Sequence, residues 1–250
     1  GRRGAVCVEA LLVRERYKVV RVLRAEECYA FAEAVDILDR EKGTCLLNIY
    51  EGPLLRTYLP YFDQMQSCPA FRGMFLDGES LVTVFDDCVG KPIDQVFYRG
   101  DRHHWRTRLD YAQRLLHQAL SMADLPAAVS CAAMLSENVR IDFKSGTLAL
   151  RFQVVPLEGM VPRELVYLTC DQLRKILLPR SSSPVEELML LDELDRGNCK
   201  TVVQLYALWR ERQGALQAAY EALDKKNFFQ RWCALLWGRV KRWPARRKRR

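Results

Sequence analysis

The sequence predicts an α+β fold in which a β-rich first part gives way to a reduced, mainly helical second part. Three observations carry this. From Tyr17 the chain passes through segments of strand length that are β-branched or apolar, YKVVRVL, AFAEAVD and TCLLNIYEG, separated by polar turns. Near the middle, Tyr111, Leu115, Leu116, Ala119, Leu120 and Ala123 recur at three- and four-residue spacing, the apolar stripe of one buried helix. Beyond that helix come a short strand, a turn at Lys144, Ser145 and Gly146, a second short strand (TLALRF), and then helical segments.

Taken in order, residues 1–16 form an amphipathic or strand-like preface. YKVVRVL and AFAEAVD suit a hairpin joined at RAEECY, and TCLLNIYEG follows a turn at Glu41, Lys42 and Gly43 as the third strand. A helix is expected from Leu54 to Met65. FRGMFLDGESLVTVFDD reads as two more strands, and VGKPIDQVF as the connection that closes this part near residue 97. Leu125 and Pro126 end the buried helix. The stretch from Cys131 to Asp142 is then a tight segment whose second half forms a strand. TCDQLRKILL is helical, LPRSSSP is a turn or loop by composition, and VEELMLLDELDRGNCKTVVQLYALWRER reads as two short helices. No repeat or low-complexity linker interrupts residues 17 to 212, so the parts are 1–16, 17–97, 98–225 and 226–250.

Apolar residues make up 49 % of the chain and charged ones 28 %, which excludes a disordered protein. The net charge of +8 is concentrated. Residues 238 to 250 (GRVKRWPARRKRR) hold eight Lys or Arg and no acid, so the rest of the chain is near neutral and has no bias toward polyanions. Nine cysteines are scattered without a C-x-x-C pair, several of them in apolar runs where a thiol acts as a small hydrophobe. That usage predicts a reducing, cytoplasmic setting rather than a disulfide framework or zinc site. No secretory signal pattern is visible in a chain that begins with Gly.

Helix, loop, short strand, turn, short strand is the order found around the catalytic loop of protein kinases. SENVRID resembles the tail of that loop, where the family has an Asn followed by a strand. Laid on the family's H-R-D-x-x-x-x-N, Cys131 takes the His position, Ala132 the Arg, Ala133 the catalytic Asp, and Asn138 the Asn. The metal-binding D-F-G reads Arg151-Phe152-Gln153. The opening strands resemble a kinase small lobe, but the turn that carries the family's glycine-rich loop, RAEECY, has no Gly and presents Glu26 and Glu27 to an anionic ligand. The A-x-K triplet reads Leu46-Leu47-Asn48. Counting back from Cys68-Pro69, which resembles the family's His-Pro, places Leu59 near the helix Glu. Pro162-Arg163-Glu164 echoes the A-P-E, and Asp171 takes the position that braces the catalytic loop. Only eighteen residues separate Phe152 from Asp171, fewer than an ordinary activation segment holds. The likeness covers roughly four-fifths of the chain.

The resemblance implies a bilobal fold without the parts that transfer phosphate: a pseudokinase, acting as a scaffold or regulatory module for a protein partner, with no cofactor. Asn138 reads either as a lone metal ligand or, in keeping with its turn, as a hydrogen-bonding partner of the loop backbone. His103 and His104 lie in a polar connection and read as solvated; His117 lies on the polar side of its helix. An enzyme alternative is a divergent kinase or nucleotide transferase with relocated residues. A narrower resemblance is to the degenerate kinase-like subunits of bacterial secretion machines, such as type VII secretion, where the domain is fused to a membrane anchor.

The tail, KKNFFQRWCALLWGRVKRW, places Phe228, Phe229, Trp232, Leu235, Leu236, Val240 and Trp243 on one helical face, with Arg231, Arg239, Lys241 and Arg242 around it. Two readings stand side by side. One is a helix lying in an anionic membrane interface, at the inner face of the membrane; the other is a last helix docked on the domain. The run is too short to span a bilayer. ARRKRR sits in no recognisable nucleic-acid-binding module, so nucleic acid is not expected as a partner.

Overall fold

The protein's structure, a computed structural model, describes residues 12–247, with side chains as far as Lys241. It is α+β, with a curled antiparallel sheet of six strands. The chain divides into two compact units. One gathers the chain up to Cys88 with the later segments Asp124–Ala133 and Arg151–Gly159, and the other holds the remainder.

In the first unit, β1 (Leu12–Val13), β2 (Tyr17–Ala25), β3 (Tyr29–Asp36), β4 (Thr44–Tyr50), β5 (Phe71–Asp77) and β6 (Ser80–Asp86) pair in the order β1-β2-β3-β4-β6-β5. β1 comes from the end of the 1–16 preface, most of which lies outside the described residues. Burial runs through β4 from Cys45 to Asn48 because both of its faces are covered. Cys45 and Leu47 join Val13, Tyr17, Ala34, Val82 and Val84 in one core. Leu46, Asn48 and Tyr50 point the other way, where α1 (Pro53–Phe62) lays Tyr58 flat on Tyr50, ring centroids 4.5 Å apart. Strand alternation thus supplies two cores from one sheet.

The second unit is built on α3 (Trp105–Ser121), whose buried face includes Tyr111, Ala112, Leu115, Leu116 and Ala119. α5 (Pro162–Ile176) and α7 (Val202–Asp224) pack on α3, and a small sheet, β7 (Lys91–Pro92), β8 (Val139–Asp142) and β9 (Thr147–Leu150), lies beside it. A short α2 (Ile93–Val96) follows β7. α6 (Val185–Asp195) and α8 (Phe228–Arg247) complete the unit, and α4 (Ala127–Ala133) belongs to the first.

Four expectations are corrected. The stripe on α3 stops short of Ala123, which is exposed, because the helix tightens at its end with Met122 and Ala123 donating to Ala119 and Leu120. The segment before Asn138 is not a loop throughout: Ala127–Ala133 is helical and almost wholly buried. Pro162-Arg163-Glu164 is the first turn of α5, where a proline's missing N–H costs nothing. The second of the two "short" helices, α7, runs for 23 residues, capped by the Thr201 hydroxyl accepting from the Gln204 amide.

One glycine sets a close approach. Gly90 has φ +126°, and a Cβ there would sit 2.9 Å from the backbone of Ile141, in the β8 strand that β7 pairs with. Gly90→Ala is therefore expected to cost roughly 3 kcal/mol, from backbone strain and overpacking together. Urea denaturation measures it; a loss under about 1 kcal/mol would show that the β7–β8 contact yields easily.

Candidate functional site

Asn48 and Arg151, two of the residues that the sequence sets at the phosphate- and metal-holding positions of the kinase pattern, are internal struts of the first unit. Asn48 is fully buried in the middle of β4. Its Nδ2 donates to the Phe152 carbonyl at 2.9 Å, and its Oδ1 accepts from the Val154 amide and the Tyr29 hydroxyl, each at 2.8 Å. The carboxamide therefore pairs with residues 152–154 as a neighbouring strand's peptide group would. Tyr50 adds a 2.6 Å bond from its hydroxyl to the Val154 carbonyl, and Phe152 stacks on Phe85, centroids 4.8 Å apart. The burial of Tyr50 pushes its phenol pKa well up, so it acts as a fixed donor.

Arg151 is also engaged. Its guanidinium bonds Glu33 at 2.9 Å, lies 3.5 Å from Asp87, and covers the Phe31 ring. Glu33 is held below the usual carboxylate range by the hydrogen bond from Arg21, partly opposed by its own burial and helped by Arg151. The charge of Arg151 is thus balanced locally by Glu33 and Asp87.

The turn between β2 and β3 is tight, closed by the Glu26 amide donating to Tyr29 at 2.7 Å, with Glu26 paired to Arg24. Leu59 is exposed, while Tyr58, one residue earlier, and Phe62 face Tyr50 of β4. Cys131, Ala132 and Ala133 close α4 and are buried. Asn138 is buried in the turn before β8, its amide donating to the Leu135 carbonyl.

Asp171 is not the expected buried brace. Its side chain is 60 % exposed and pairs with Arg174. Gln172 takes the inward position, donating to the Met134 carbonyl at 2.9 Å and to Ser136 at 3.3 Å. The histidines are likewise structural. His103 is half-buried, bonds the Val96 carbonyl at 2.8 Å and packs against Phe97 and Phe143, which corrects its reading as solvated. His104 caps α3, its Nδ1 accepting from the Arg106 amide.

Sequence reasoning missed a charged cluster in the second unit. Asp101 and Arg108 are both buried and ion-paired, and Arg180 reaches the same Asp101 oxygen at 2.7 Å. Beside them, a cleft of about 280 Å³ is lined by Arg102, His104, Trp105, Tyr220 and Arg231 among others. The Arg-Gly-Asp-Arg-His-His-Trp-Arg stretch was the visible signal, since so dense a mixture of charges and aromatics ahead of a buried helix predicts internal pairing.

α8 confirms a helix in the tail. Of the membrane-contact candidates, Phe228, Phe229, Trp232 and Leu236 are exposed, as are Arg239 and Lys241; the Trp243 side chain lies outside the described residues. Among the described residues no helix is long and apolar enough to cross a membrane, and no group of three or more His, Cys, Asp or Glu is placed to hold a metal ion. None of the eight described cysteines is in a disulfide; burial pushes the Cys45 thiol up to about 11 and the Cys170 thiol to about 12, which keeps both neutral and unreactive. Neither protein-family models nor curated proteins give a match to this chain.

Proposed function

We propose that the chain is a bilobal, protein-kinase-like domain that has lost phosphoryl transfer and serves as a scaffold or regulatory binding module for a protein partner. The observation that supports this reading is the role of Asn48 and Arg151. At the positions where a kinase keeps a lysine for phosphate and an aspartate for metal, this chain has a neutral amide bonded to backbone on both sides and an arginine held by Glu33 and Asp87. Phosphoryl transfer depends on positioned phosphates and metal ions. Side chains already consumed by internal bonds do not supply that, and at the first hairpin turn Glu27, beside the Arg24–Glu26 pair, adds a negative charge that opposes a polyphosphate.

The expected outcome with nucleotide is silence. Millimolar ATP with magnesium leaves the melting temperature unchanged to within about 1 °C, because a ligand that binds the native state must raise it. A magnesium-dependent rise of several degrees, or label transferred from γ-labelled ATP to the chain or a generic substrate, would instead favour the divergent kinase or nucleotide transferase.

A further inference from the structure

α8 has two faces with different surroundings. On one, Arg231, Ala234, Leu235 and Gly238 are half-buried. Arg231 holds the Leu223 carbonyl at 3.2 Å and Asp224 at 2.9 Å, and Arg239 reaches the carbonyls of Arg180 and Ser181 at 3.0 and 3.2 Å. Gly238 comes so close to α6 that a Cβ there would lie 3.3 Å from Val185. The helix is thus fixed to its own unit by small residues and arginine bonds. Its apolar side faces away: Phe229 is 68 % exposed, Trp232 54 %, Leu236 42 %, Trp237 65 % and Val240 62 %.

We propose that this outward face docks α8 flat on an anionic membrane surface. The chemistry is that of an interfacial helix, with aromatic and aliphatic side chains on one side and basic ones at its edges. Charge selects the occupant. After Asp224 the sequence carries eleven Lys or Arg and no acid. Two copies meeting through this face would bring two such cationic tails together, whereas acidic headgroups neutralise them, each basic residue near the surface adding about five-fold in affinity. Lys241 lies 5.8 Å from the Trp237 ring centre, so charge and aromatic sit together at the edge of the face. Because the helix is already folded and held through its opposite face, docking does not have to drive helix formation, which a free segment of this length would require.

The test uses the full chain and no nucleotide, so its result is independent of the kinase-like reading. The chain is mixed with vesicles of phosphatidylcholine alone or with about one-third phosphatidylserine, and sedimentation and Trp emission are followed. Co-sedimentation with the acidic vesicles is expected, with a blue shift from the tail tryptophans Trp232, Trp237 and Trp243, since Trp105 and Trp209 are already buried. Raising the salt weakens the binding. Trp232→Ser with Leu236→Ser lowers partition at least about ten-fold while the melting temperature holds, because both side chains are exposed. No binding to acidic vesicles, or equal binding to neutral ones, would overturn the proposal. So would a wild-type dimer at micromolar concentration that Trp232→Ser dissolves, which would assign the face to a second copy.

Discussion

Asn48→Lys is expected to unfold the first unit or leave it barely stable, even though lysine is the residue that the proposed kinase-like reading would put there. The side chain it replaces is fully buried and makes three hydrogen bonds, to Phe152, Val154 and Tyr29. Lysine has donors and no acceptor, so the Val154 amide loses its partner and Tyr29 loses its bond to this side chain. Each buried polar group left unsatisfied costs about 1–3 kcal/mol, and a buried ammonium adds its own desolvation. The sum, roughly 5 kcal/mol, is a large fraction of the stability of a domain. Asn48→Asp provides the contrasting case. It keeps both accepting bonds but faces the Phe152 carbonyl with an acid that must be protonated to donate. Its folded pKa is raised, so the variant is most stable below the ordinary Asp value and loses stability as pH rises through the folded one. Chemical denaturation of both variants at pH 4 and pH 8 checks this. A lysine variant as stable as wild type would mean that the clamp on residues 152–154 contributes nothing.

That clamp marks the boundary of what the sequence makes legible. β3 and β4 are readable because burial alternates along most of β3 and β4 is apolar apart from Thr44 and Asn48, and both patterns follow from how their faces are covered. The core of α3 is readable for the same reason, at helical period. α4 is not: AAVSCAA has small or apolar residues on every side and is buried nearly all round, so it has no amphipathic period to find. The single Asn in TCLLNIY was visible as a polar residue inside a buried run. Such a residue must find internal partners, but one sequence does not say that they are the backbone of residues more than a hundred positions later. Asp171 and Gln172 differ by one position, about 100° around a helix, which is the whole difference between solvent and the Met134 carbonyl. In the tail most of the apolar stripe was legible, but Leu235, read as part of it, is half-buried on the docked side with Ala234 and Gly238, and Trp237 belongs to the exposed side; the four-residue spacing of Ala234 and Gly238 was the overlooked sign of close packing.

Asp101→Ala is expected to produce the largest loss in the second unit, about 3–5 kcal/mol. Arg108 is only 4 % exposed, and its other bonds are to the carbonyls of Ile176 and His103 at 2.7 and 3.3 Å, so Asp101 is its paired counter-charge, with the buried Glu187 a smaller influence. Removing one partner of a buried ion pair leaves the other charge uncompensated, which is the costly half of such a deletion. Burial already lowers the Arg108 pKa, with Asp101 opposing that shift. The reverse change, Arg108→Met, is expected to cost less, because Asp101 keeps the amides of Tyr98 and His103 and the guanidinium of Arg180. Acid dependence gives a second readout. Burial alone would raise the Asp101 carboxyl, but those amides and the two arginines hold it below the usual range. A depressed folded pKa contributes stability that is present above the unfolded value, near 4, and lost as pH falls through the folded one. Wild type therefore loses stability on acidification below about pH 4, and Asp101→Asn, lacking the titrating group, shows a shallower acid limb from a lower plateau. Denaturant midpoints between pH 2 and 7 separate the cases. An Asp101→Ala loss below about 1 kcal/mol, or acid limbs of equal slope, would reduce the pair to a surface-like interaction.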